Sequence, residues 1–226
     1  YPVASSLDSV GPFANSVEMI QKAMQIIDPT FQQNVCQTTV PKLALFDVHA
    51  DAEVWDTIHH FLKQADLNPD TVQCANFEQA FDAGMHIINY ENWQAYGHLT
   101  ETGKVGQDVN ARLLKAVSTT LEQVEAAEIV RCKFTAEIDQ ILEKYDAILL
   151  PTLPHLPPKV VDAEDTVAFL NLTAFVRPFN LSGHPVMSIP LETVHGQPVV
   201  LQIITKRNTD EQLCAITDFV VKAAAH

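Results

Sequence analysis

Ser182 and His184 stand two residues apart in the segment NLSGHP, and a hydroxyl beside an imidazole is the minimal pair for acyl transfer. Such a pair works when the base is held against the hydroxyl, usually on a tight turn with a glycine ahead of the serine. Here Gly183 follows the serine instead. Residues so close in sequence rarely meet in triad geometry, so the segment reads as a Gly-Pro-terminated loop packed where the chain enters a strand. His59 and His60 have Lys63 and Gln64 one helical turn on, which leaves no i,i+4 ligand pair, and His49, His86, His98, His155 and His195 are scattered. No metal and no cofactor is expected. The acidic pairs Glu122 with Glu125, Asp139 with Glu143, and Glu164 with Asp165 lie opposite apolar residues and read as solvated faces. Gly103 and Gly106 flank a lysine without forming a phosphate-binding loop. Among the residue types that do chemistry, no catalytic constellation is complete.

The elements that would position these residues alternate between helix and strand. SVEMIQKAMQIID carries Val17, Ile20, Met24 and Ile27 at helical spacing behind a capping Ser16. KLALFDV is a short apolar strand, and DAEVWDTIHHFLKQAD follows it as a helix. NPDTVQCANF supplies a turn and a second short strand, and EQAFDAGMHIINYENWQAYGHL another helix. Residues 108–145 are rich in Ala, Glu, Leu, Lys and Gln without Gly or Pro, and Ser118, Thr119 and Thr120 divide them into a short helix and a long one. DAILLPTLP is a buried strand halted by proline. A proline-rich loop, a helix around TVAFLNLTAF and the strands HPVMSIPLET and PVVLQIITK follow, and a helix capped near Thr209 or Asp210 closes the chain. The pattern predicts one α/β domain over residues 1–226, a mixed β-sheet covered by helices on both faces.

Composition narrows the partners. With 28 acidic against 14 basic residues the formal net charge is −14, which repels nucleic-acid backbones and anionic membrane surfaces. No apolar run approaches the roughly 20 residues of a membrane helix. Cys36, Cys74, Cys132 and Cys214 are far apart and read as reduced core cysteines of a cytoplasmic protein.

The sequences YDAILLPTLPHLPP, RPFNLSGHPVMSIPL and GQPVVLQII, taken in that order, resemble the carboxy-terminal region of the amidase signature family. The resemblance extends back through DVNARLLKA to SSLDSVGPFANSVEMIQKAMQII and so spans essentially the whole chain. It implies a hydrolase that cleaves carboxylic amides through a serine acyl-enzyme. In that family a second serine in a cis peptide bond and a neutral lysine act as the base, and backbone amides of a Gly/Ser-rich loop stabilise the oxyanion. No Gly/Ser-rich run and no matching lysine occurs here, so no catalytic residue carries over and this chain alone is expected to be inactive. Ser5 and Ser6 read as a turn-forming pair.

Pocket wall does carry over. The PFNLSGHP loop implies that Phe179 and Asn180 face substrate, on an irregular backbone fixed by Pro178, Gly183 and Pro185. Thr173 stands where the tRNA-dependent amidotransferase branch has an aspartate that reads a substrate amine, which argues against glutamine as substrate. Arg112 matches a carboxylate-holding position, although pairing with Asp108 one turn earlier is the plainer role. The apolar stretch FLNLTAFVRPF favours an aliphatic or aromatic amide over a highly charged one. The start at YPVASS, inside a family segment and without Met, leads us to expect an incomplete amidase fold, truncated, cleaved or split. Such a chain should associate with itself or with the missing amino-terminal part, because a cut sheet exposes an edge and an apolar face. A noncatalytic amidase-like scaffold acting in binding or assembly is the alternative.

Overall fold

The alternation of apolar residues along the strands decides the layering. In β1 (Leu43–Phe46) and β3 (Ala147–Pro151), Leu43, Leu45, Ala147 and Leu149 enter one core cluster while Ala44, Phe46, Ile148 and Leu150 enter another. Strand residues that are buried on both sides need cover on both sides. The computed structural model, which describes residues 5–33, 35–159 and 172–225, supplies that cover with helices. On one face lie α1 (Val17–Ile27), α2 (Ala52–Gln64) and the last helix, α7 (Asp210–Ala224). On the other lie α3 (Phe77–Tyr96), α5 (Leu121–Leu142) and a short α6 (Arg177–Ser182).

The five strands run β2-β1-β3-β5-β4, with β2 at Asp70–Val72, β4 at Val186–Glu192 and β5 at Pro198–Ile204. β2, β1 and β3 are parallel, and β5 runs antiparallel to both β3 and β4. This is the mixed sheet with two helical layers that the sequence implies. Among the described residues no helix is long and apolar enough to cross a membrane.

Local chemistry sets the helix ends. Ser16 accepts from the Met19 N–H and caps α1, as its position predicts. Thr120 divides α4 (Gln107–Ala116) from α5 and forms a reciprocal capping box with Gln123. Thr209 occupies the N-cap position of α7, but its hydroxyl donates back to the Lys206 carbonyl at 2.6 Å and makes no cap bond. A short 3₁₀ helix at Gly97–Glu101 follows α3. The helix expected around residues 166–175 falls largely outside the described residues, as do Glu164 and Asp165.

Two cysteine expectations are corrected. Cys214 is buried and Cys74 half-buried, but Cys36 and Cys132 are exposed, because one lies in the loop after α1 and the other on the solvent side of α5. All four are free thiols. Burial pushes the Cys214 thiol up to about 11, so this side chain behaves as a small core hydrophobe.

A cap supplied from elsewhere in the fold starts α3. The Glu137 carboxylate, on α5, accepts from the Ala75 N–H at 2.6 Å, the Asn76 N–H at 3.1 Å and the Asn76 side-chain amide at 2.8 Å. Burial works against its charge, but these hydrogen bonds outweigh burial and hold the carboxyl below the usual range. Glu137→Ala is therefore expected to cost about 1–2 kcal/mol at neutral pH. A carboxyl whose folded pKa is depressed contributes stability above about pH 4.3, its unfolded value, and loses it as pH falls through the folded value. Urea denaturation of both proteins at pH 7 and pH 4 checks this, since the difference between them must narrow at the lower pH.

Candidate functional site

Three of the sequence-predicted pocket residues, Thr173, Phe179 and Asn180, lie on the segment that runs from Thr173 through α6 into β4. Buried Gln202 on β5 fixes its start by donating from Nε2 to the carbonyls of Pro151 and Phe175, each at 3.0 Å. The first departure from expectation is α6 itself, because RPFNLS forms a helix where irregular backbone was expected. Pro178 sits in its first turn, where a missing N–H costs nothing, and Gly183 ends it in the left-handed conformation at φ 72°. Both residues reconcile with a short helix as readily as with a loop.

That glycine turn brings Ser182 and His184 together after all. His184 Nδ1 lies 2.9 Å from Ser182 Oγ, and Nε2 lies 3.2 Å from Asp139 Oδ1 on α5. The other Asp139 oxygen accepts from Arg207 Nη2 at 2.8 Å. Since a carboxylate only accepts, the neutral ring carries its proton on Nε2 and accepts a hydrogen bond from the Ser182 hydroxyl at Nδ1. Burial lowers the His184 pKa, and the nearby Asp139 only partly opposes this. The constituents are those of a serine triad, but the environment is a core. Ser182 is 6% exposed and His184 5%, and Ser182 Oγ also sits 3.3 Å from the Phe179 carbonyl at the end of α6. The arrangement pins α6 to α5 and to the turn between β5 and α7, and among the described residues Ser182 is buried as a core residue is.

Further bonds fasten the same corner. Arg131 donates from Nε to the Leu181 carbonyl at 2.7 Å and from Nη1 and Nη2 to Ser6 at 3.0 and 2.9 Å. The Ser6 N–H in turn donates to Glu91. Ser5 accepts from the Asp8 N–H at 3.2 Å, a turn-forming role. Asp51 and His155, paired at 2.9 Å, join the loops after β1 and β3.

The pocket candidates are dispersed. Asn180 and Thr173 are exposed, Thr173 accepting from Arg177 Nη2 at 2.8 Å. Phe179 is 1% exposed and its ring packs 6.0 to 6.4 Å from those of Phe46, Phe77 and Phe134, so the side chain is core and only its backbone borders the exposed positions. Arg112 is exposed on α4, which packs on α3, and among the described residues no ion pair joins it to Asp108. Sequence reasoning missed Arg177, although an arginine inside an apolar run was a visible signal. It is 9% exposed, with its guanidinium 4.0 Å from the Phe81 ring centroid.

The amidase family profile matches residues 51–214. A glutamyl-tRNA(Gln) amidotransferase subunit from Pseudothermotoga lettingae is 26% identical over 94% of this chain and 56% of its own length. The crystal structure of the Thermotoga maritima protein of the same name superposes with a TM-score of 0.70 at 23% identity, over 97% of this chain and 53% of that one. A crystal structure described as an amidase reaches a TM-score of 0.78 at 20% identity, over 94% and 52% of the two chains. The chain thus spans about half the length of the relatives it matches. Since the family match covers most of the sequence, the chain belongs to the amidase family.

Proposed function

We propose that this chain forms the carboxy-terminal part of a hydrolase that cleaves small-molecule carboxylic amides through a serine acyl-enzyme, with the catalytic serines and lysine outside these 226 residues. The observation that carries the reading is the family match over residues 51–214 in a sequence without any Gly/Ser-rich run. Thr173, Asn180, the Phe179 backbone and Arg112 contribute pocket wall. Thr173 is neutral, so a substrate amine has no carboxylate to meet at that position, which disfavours glutamine. The site of action is cytoplasmic, in keeping with four free thiols.

The chain acts in association, with a second copy or with a polypeptide bearing the Gly/Ser-rich segment. Support comes from large apolar side chains left in solvent, Phe13 at 102%, Ile26 at 84% and Leu121 at 61% exposure, and from β2, a short strand paired on one side. The chain alone is expected neither to hydrolyse aryl or aliphatic amides nor to be labelled by a fluorophosphonate, a reagent for activated serines. Mixed with a polypeptide carrying the Gly/Ser-rich segment, hydrolysis should appear and the label should fall on that partner. Labelling of Ser182 in the isolated chain would overturn the reading, and a complex that forms without hydrolysing any amide would favour a scaffold.

A further inference from the structure

Arg177 is a buried cation that the described residues do not neutralise. Its Nη2 donates to Thr173, but Nη1 is buried and has no hydrogen-bond partner among the described residues. Among the described residues no carboxylate comes within ion-pair distance of it. Asp82, exposed on α3, acts on it only through space. Burial pulls the guanidinium pKa down, with Asp82 opposing, yet a guanidinium stays charged at any working pH. Leaving a charge desolvated and unpaired is costly, so a fold that tolerates it has a use for it.

The surroundings are fitted to the side chain. Gly84 lies inside α3, where glycine is a poor choice, and a Cβ there would stand 2.8 Å from Arg177 Cγ and 3.0 Å from Cδ. The glycine lets the arginine stem lie flat on the helix. The Phe81 ring covers one face of the guanidinium, so an anion must meet it edge-on, in the plane of its N–H groups.

We infer that Arg177 binds a carboxylate, and that the amide acted on at this pocket wall carries one carboxylate on an otherwise apolar body. This rests on the amidase reading for the word amide, though not for the binding. A planar monoanion suits a single in-plane edge. A phosphate dianion would meet a chain of net charge −14 with one buried cation to offset it.

The test uses sodium benzoate as probe, benzamide as its neutral counterpart and sodium chloride at matched ionic strength, read by thermal unfolding of the full chain. Benzoate should raise the midpoint saturably, and benzamide and chloride should not. Arg177→Met should abolish the saturable rise, while Lys115→Met, which removes an exposed charge on α4, should leave it intact. Arg177→Lys keeps the charge but loses the fork, and should weaken benzoate by about tenfold or more. It carries the test should Arg177→Met fail to fold. Overturning results are a benzoate response no larger than that of chloride, as when a carboxylate of the chain itself occupies Arg177, or one that survives in both arginine variants. Arg177-dependent benzoate binding without amide hydrolysis in the assembled enzyme would defeat the amidase reading alone. Hydrolysis of neutral amides without such binding would defeat this inference alone.

Discussion

Phe179→Ala is expected to lower the unfolding free energy by about 3–5 kcal/mol, the largest single effect foreseen for this protein. The ring is 1% exposed and sits among Phe46, Phe77 and Phe134, each within about 6.5 Å between centroids. Those partners come from β1, α3 and α5, so truncation removes a contact shared by three elements and leaves a cavity that a sheet and two long helices cannot collapse to fill. A side chain that mainly touched substrate would behave differently, costing little stability and weakening binding. Guanidinium chloride denaturation separates the two, and a loss below about 1 kcal/mol would return Phe179 to the pocket.

His184→Ala should follow, at about 2–4 kcal/mol near neutral pH, because the ring is fully buried and bridges Ser182 to Asp139. Ser182→Ala should cost less, about 1 kcal/mol, since it removes one hydroxyl and no ring. The pH dependence is the more specific signature. The folded pKa of His184 lies below its unfolded value, near 6.5, so above that pH both states are neutral and the residue adds no pH dependence. Below it the unfolded chain binds the proton and the folded chain does not, so stability falls as pH drops from about 6.5 toward the folded value. The wild-type advantage over His184→Ala should therefore shrink between pH 6.5 and 5 when unfolding is followed by circular dichroism. An advantage that stayed constant across this range would mean that the ring is protonated in the fold, with Ser182 donating to the Phe179 carbonyl instead.

How far the candidate site could be read in advance depended on which kind of signal each residue carried. Arg112 was visible through its place in a resembling motif, and Phe179 for the same reason, yet motif position says nothing of which way a side chain turns. Phe179 turned inward because six helical residues between Arg177 and Ser182 set its direction, and an RPFNLS sequence with proline near its start and glycine after its end fits a loop or a short helix equally. Arg177 was in plain sight, but only its neighbours show that it is buried and that no carboxylate among the described residues pairs with it.

Local rules sufficed for the elements. Alternating burial gave the strands their two faces, Ser16 and Thr120 marked helix starts through bonds within four residues, and the glycine- and proline-free stretch before Tyr145 had to be helical. From the sequence alone follow the α/β class and the two-sided helical cover. Tertiary structure alone decided the rest. It set the carboxylate of Glu137 against the start of α3, 61 residues away from Asn76, and closed a hydroxyl, an imidazole, a carboxylate and a guanidinium around the end of α6. Such contacts depend on the three-dimensional approach of side chains whose partners no local periodicity encodes, and burial then lowers the proton affinity of the His184 ring.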